Sequence, residues 1–173
     1  MTGLRIERAG PEAIPAIMRF ERQPGYEMLV GRFSEAEHRA TMADPANAYL
    51  VGHDDDIARA FALLCALDDP HGNVLLRRIA VETAGQGFGR RFMDAVIDWT
   101  FTTIGSTHRL WLDVLEHNTR ARHVYRRAGL REDGTLRESY LLPDGRRVSR
   151  IMMALLRPEW EARRAELGQP DSC

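Results

Sequence analysis

The chain has 173 residues, 44% of them apolar and 28% charged, with a formal net charge of −1. That length suits one domain whose core buries roughly 70% of the unfolded surface, and the near-neutral charge leaves no footprint for nucleic acid. Cys65 and Cys173 are too few for a disulfide framework, no apolar run approaches the ~18 residues of a membrane span, and no signal-peptide pattern opens the chain, so a reducing, cytoplasmic setting is expected.

Residues 4–8 alternate as a short strand, and residues 11–22 read as a helix. A loop rich in turn and aromatic residues follows over 25–33. Ser34 with Glu37 is a capping-box signature, starting a helix that ends near Asp44 and Pro45. Residues 49–52 and 57–67 predict a hairpin around Asp54, Asp55 and Asp56, after which residues 68–72 turn into the next strand.

That strand, Leu75-Leu76-Arg77-Arg78-Ile79-Ala80-Val81, runs into a cluster of three glycines, Gly85, Gly87 and Gly89. Phe88, Phe92, Ala95, Val96 and Trp99 then recur at steps of three and four, so the segment reads strand, turn, helix. Glycines let a ligand approach the main chain closely, and the first turn of a helix offers unpaired N–H groups and partial positive charge. Such a turn suits a phosphate or pyrophosphate. A dinucleotide fold would want Gly-x-Gly-x-x-Gly, and a P-loop would want Lys and Ser/Thr where Arg90 and Arg91 stand. The plain alternative is a turn that only packs a helix on a sheet.

Residues 108–115 alternate as another strand, with Asp113 on the face opposite Leu112 and Val114. Beyond it, Ala121, Val124, Tyr125 and Ala128 share one helical face, and Gly129 sits at the C-cap. Arg120, Arg122, Arg126 and Arg127 read as a solvated face. Two late strands flank Pro143-Asp144-Gly145, residues 158–167 predict a terminal helix, and 168–173 a frayed tail. With no repeats or linkers, residues 1–173 are expected to form a single mixed α/β domain.

The glycine loop resembles the acyl-CoA loop of the GNAT superfamily of N-acetyltransferases, Gln/Arg-x-x-Gly-x-Gly/Ala. Gly87 and Gly89 are in register, and Ala84 at the first position departs from the pattern. Asn118, Ala121, Tyr125 and the Gly129-Leu130 pair match the second signature of that family. The resemblance is specific over residues 74–130 and looser elsewhere. It implies the GNAT fold, a mixed central sheet flanked by helices. It also implies acetyl transfer from acetyl-CoA to a primary amine in a ternary complex, without a metal. On the same resemblance the pyrophosphate meets the amides of Gly85, Gln86, Gly87, Phe88, Gly89 and Arg90. Pantetheine runs beside Ile79, Ala80 and Val81, with Asn118 nearby.

Tyr125 matches the position that protonates the departing CoA thiolate, a task suited to a phenol that is neutral at physiological pH. The alternative is a buried aromatic whose hydroxyl is satisfied by a backbone group. Asp113 is similar in position to the base of ribosomal-protein alanine N-acetyltransferases, or else is a carboxylate paired with Arg77 or Arg78. Glu82 and His117 are further candidate bases. The acceptor site is expected from residues 23–33 and 136–148. The tract 133–138 resembles both ribosomal-protein and diamine acetyltransferases, so a small amine and a protein N-terminus both stay open, as does a homodimer. Glu35, Glu37 and the Asp54–Asp56 turn either attract a polyamine or form an exposed acidic surface. A non-catalytic acyl-CoA sensor and a nucleotide-binding module are the competing classes.

Overall fold

A computed structural model describes residues 3–82 and 87–168. Seven strands form one mixed sheet: β1 (Arg5–Arg8), β2 (Ala48–Asp54), β3 (Ile57–Cys65), β4 (Asn73–Val81), β5 (Arg109–Leu115), β6 (Arg131–Leu141) and β7 (Arg147–Leu156). Their spatial order is β1-β2-β3-β4-β5-β7-β6, and every neighbour is antiparallel except the β4–β5 pair. Among the described residues five α-helices accompany them: α1 (Ile14–Glu21), α2 (Glu35–Ala43), α3 (Phe88–Thr103), α4 (Thr119–Arg127) and α5 (Arg157–Gly168).

The helix expected over residues 11–22 splits into a 3₁₀ turn, Pro11–Ala13, and α1. Pro15 explains the break, because its ring lacks an N–H and would clash with the carbonyl four residues back, so it is confined to the first turn of α1. The capping box at α2 forms as expected, with the Ser34 side chain accepting from Glu37 N–H and the Glu37 carboxylate accepting from Ser34 N–H.

Alternation along β3 feeds two cores on opposite faces of the sheet. Ala62 and Leu64 join Leu76, Phe92, Leu110 and Met153 on the face covered by α3, α4 and α5. Phe61 and Leu63 join Ile17, Phe20, Tyr49 and Ala80 on the face covered by α1. A fully buried side chain such as Phe92 contributes on the order of 1.5–3 kcal/mol.

Two irregularities shape the middle of the sheet. Leu63 faces Arg78 and Leu64 faces Leu76, so Arg77 is the extra residue of a β-bulge that bends β4. The parallel β4–β5 pairing spans only Asn73–Leu75 against Arg109–Trp111, after which the two strands part. β5 is paired with β7 along its whole length instead. The result is a fork in the sheet, open along the second half of β4.

Candidate active site

The fork holds a cavity of about 1330 Å³ whose walls are β4, β5, the start of α3, the α4 face and the loop after α1. Ile79, Ala80, Val81, Asp113, Asn118 and Tyr125 all line it, so residues far apart in sequence are brought together as expected. Gly85 and Gln86 lie outside the described residues.

Gly87 is the N-cap of α3, with φ at +76°, a left-handed conformation that favours glycine. Arg91 N–H makes the first helical bond, to the Gly87 carbonyl at 3.2 Å, so the preceding amides of Phe88, Gly89 and Arg90 are not used by the helix. Gly87, Gly89 and Arg90 line the cavity, whereas the Phe88 ring turns inward and stacks on Phe92. This end fits a pyrophosphate.

On β4, Glu82 N–H donates to the Arg59 carbonyl. The alternation of antiparallel pairs then turns the main-chain groups of Ala80 toward β3 and those of Ile79 and Val81 into the fork. The Val81 carbonyl is already engaged there, accepting from Tyr26 Oη at 3.1 Å and Gln23 Nε2 at 3.0 Å. These two bonds tie the loop after α1 to the end of β4 on the cavity wall. Asn118 caps α4, its Oδ1 accepting from Ala121 N–H at 3.2 Å, which leaves its amide nitrogen free of that capping bond.

Tyr125 lies on the α4 face turned to the sheet, and no described residue hydrogen-bonds its hydroxyl. Burial pushes its phenol well above the ordinary value, with Tyr26 and Asp113 nearby acting in the same direction. The group therefore stays protonated across the physiological range. The alternative of a hydroxyl satisfied by backbone finds no partner among the described residues.

Asp113 is paired, but not with Arg77 or Arg78. Arg150 Nη1 donates to both of its oxygens at 3.1 Å. Because β5 pairs with β7 beyond the fork, Asp113 faces Met152, and Arg150 is the diagonal neighbour two residues away. The bulge puts Arg78 on the α1 face of β4, where its Nη1 is taken up by Glu21 Oε1 at 2.9 Å. Glu82 lines the cavity and is held by Arg59 and Arg19, while His117 is not on the wall.

Sequence reasoning missed Arg150 and the Glu21–His38 contact, and it placed Gln23 and Tyr26 in the acceptor loop without their bonds to Val81. Arg150 stands at the start of the apolar run Ile151–Leu155, and its partner depends on a strand pairing that the sequence does not print. No group of His, Cys, Asp and Glu among the described residues is placed to hold a metal. No described helix is long and apolar enough to cross a membrane.

The sequence profile of the acetyltransferase (GNAT) family matches residues 15–130, and the chain belongs to that family. Among characterised relatives it is 34% identical over 64 residues to a spermidine N(1)-acetyltransferase of Vibrio cholerae, covering 37% of this chain and 36% of the relative. It is 33% identical over 98 residues to a [ribosomal protein bS18]-alanine N-acetyltransferase of Haemophilus ducreyi, covering 56% of this chain and 64% of the relative. Both alignments span less than two thirds of the relatives' lengths. A solved structure of spermidine N-acetyltransferase from Vibrio cholerae, in complex with CoA and spermine, superposes with a TM-score of 0.80 at 21% identity, covering 91% of this chain and 98% of that one. That likeness establishes the GNAT fold.

Proposed function

We propose that this protein transfers an acetyl group from acetyl-CoA to a primary amine, by direct attack within a ternary complex in the cytoplasm. The observation that carries the reading is the fork, which has unused helix N-terminal amides at one end and, on its wall, Tyr125, whose hydroxyl no described residue hydrogen-bonds. The amides of Gly87, Phe88, Gly89 and Arg90 hold the pyrophosphate. Ile79 and the N–H of Val81 offer strand-like hydrogen bonds to pantetheine across the open edge of β4, with the Asn118 amide beside them.

Attack of the amine nitrogen on the thioester carbonyl forms a C–N bond and breaks the C–S bond. Tyr125 gives its proton to the departing thiolate, and the second proton that the nitrogen sheds as the amide forms restores the phenol. Asp113 receives the acceptor ammonium and takes its proton, directly or through water; each of its oxygens accepts one bond from Arg150 and keeps a second acceptor position. The acceptor enters past the loop after α1 and the late strands, where Tyr26, Leu29 and Tyr140 form the rim. Both a small amine and a protein N-terminus suit this opening, as the two characterised relatives illustrate.

The test is release of the CoA thiol from acetyl-CoA, followed with a thiol reagent against amines and N-terminal peptides. Amine-dependent release supports transfer. Tight acetyl-CoA binding with no release for any acceptor would assign a sensor instead.

A further inference from the structure

We propose that the Asp113–Arg150 pair is the acceptor-recognition element, and that it selects an amine carrying a carboxylate close to the amino group. The proposal rests on the acetyl-transfer reading and names its substrate class. Arg150 is fixed on two sides: Nη1 donates to both Asp113 oxygens at 3.1 Å, and Nε donates to Ser139 Oγ at 3.1 Å. Its Nη2 donates to no described residue, and the side chain lines the cavity. A guanidinium locked by its neighbours, with one nitrogen to spare, is preorganised to take a carboxylate.

The lock is built into the strand. β6 carries a bulge between Leu136 and Tyr140, with Glu138 at φ +49°, and this brings Ser139 over Arg150. Asp113, with its remaining acceptor positions, suits the ammonium of the same molecule. The pair thus presents one negative and one positive handle side by side, the complement of a zwitterion.

The other charges at this end argue against a polycation. Glu82 and Asp113 are the carboxylates on the cavity wall, and both are already held by arginines. Arg77 also lines the cavity, its guanidinium 5.5 Å from the Phe33 ring, with no carboxylate partner among the described residues. A second ammonium of a polyamine would have to share Glu82 with Arg19 and Arg59. A free amino acid and a peptide N-terminus followed by an acidic side chain supply the same chemistry.

The experiment measures kcat/KM, corrected for the fraction of free amine, for matched acceptors. The acceptors are alanine against alaninamide, a peptide beginning Ala-Asp against one beginning Ala-Asn, and spermidine. Losing one charge-assisted bond predicts a preference for the carboxylate member of at least one pair of about 10- to 100-fold; which pair shows it identifies the source. In Arg150→Met the preference should collapse to about one, and Arg150→Lys should retain part of it. The ratio is internal to each variant, so a reduced folded fraction does not affect it. A ratio near one for both pairs in the wild type, or spermidine as the best acceptor, overturns the proposal. Acetyl-CoA binding without thiol release from any carboxylate-bearing amine overturns it too, whereas failure to bind acetyl-CoA overturns the transfer reading itself.

Discussion

Glu21 Oε1 and Arg78 Nη1 stand 2.9 Å apart, joining the last residue of α1 to β4 at a point where Glu21 is fully buried. The second oxygen of Glu21 meets His38 Nε2 at 3.1 Å and accepts from Phe33 N–H at 3.2 Å, and His38 Nδ1 reaches Tyr49 Oη at 2.8 Å. Arg78 also lies over the Phe33 ring, 3.6 Å from its centroid. One carboxylate therefore fastens α1, α2, β4 and the end of the acceptor-side loop.

Removing that carboxylate strands a buried guanidinium, and breaking a buried pair in this way costs about 3–5 kcal/mol. Glu21→Ala should lower the unfolding free energy by that amount, read from the denaturant midpoint. Glu21→Gln, which keeps the shape without the charge, should lose less. It should also raise acceptor KM while leaving acetyl-CoA affinity unchanged, because Phe33 closes the loop that lines the acceptor end. An unchanged midpoint in Glu21→Ala would show that the network contributes nothing.

Gly89→Asp separates binding from folding. A Cβ there would lie 3.5 Å from Val81 Cγ1, an ordinary contact. A carboxylate in the first turn of α3 also favours the helix, so stability should hold or rise slightly. The same carboxylate would confront the pyrophosphate, and calorimetry should show acetyl-CoA affinity largely abolished. Undiminished affinity would remove the phosphate from this turn.

Tyr125→Phe keeps the ring against the sheet and deletes the proton donor. kcat should fall about 10²–10⁴-fold, the range of general-acid contributions, with acetyl-CoA binding nearly intact. A kcat close to wild type would make the phenol structural.

Alkaline stability offers an independent reading of the buried phenols. Burial pushes Tyr49 up to about 12 and Tyr125 in the same direction, whereas in the unfolded chain both titrate near about 10. Between these values the unfolded state has shed protons that the folded state retains, so stability falls as pH rises. Their stabilising contribution is complete below about pH 10. Melting temperature measured from pH 9 to 11.5 should drop less steeply in Tyr125→Phe than in wild type. An identical slope would mean that the Tyr125 phenol ionises freely in the folded protein.

The elements that carry their own local signals were legible in the sequence. Ser34 and Glu37 announce α2 through their spacing, Gly129 marks the end of α4 with φ at +101°, and the helical period places Tyr125 on the face that meets the sheet. What sequence spacing did not disclose depends on which strands lie side by side. Asp113 finds Arg150 because β5 leaves β4 and pairs with β7, and Arg78 reaches Glu21 because a bulge at Arg77 reverses the alternation. Ser139 meets Arg150 through a second bulge that no glycine advertises. The family resemblance singled out Asn118 and Tyr125, which line the cavity, whereas the Asp113–Arg150 pair emerged only from long-range strand pairing.

Asp113→Asn tests whether the carboxylate moves a proton or only holds Arg150. At low pH nearly all of the acceptor is ammonium, so transfer depends on a group that takes its proton. As pH rises more amine arrives already neutral, and that dependence weakens. If Asp113 is the base, the variant should be slowed most at low pH and approach wild type at high pH. If Asp113 serves only as the partner of Arg150, its replacement leaves that guanidinium without a counter-charge. The rate defect would then be the same at every pH, and it would come with a lower melting temperature. The exposure of both side chains, 28% each, keeps the stability change small, below the cost of a fully buried pair. Measuring the pH–rate profile and the melting temperature on the same preparation decides between the two. A flat profile with a lowered melting temperature would transfer the proton-accepting role to Glu82, the other carboxylate on the cavity wall.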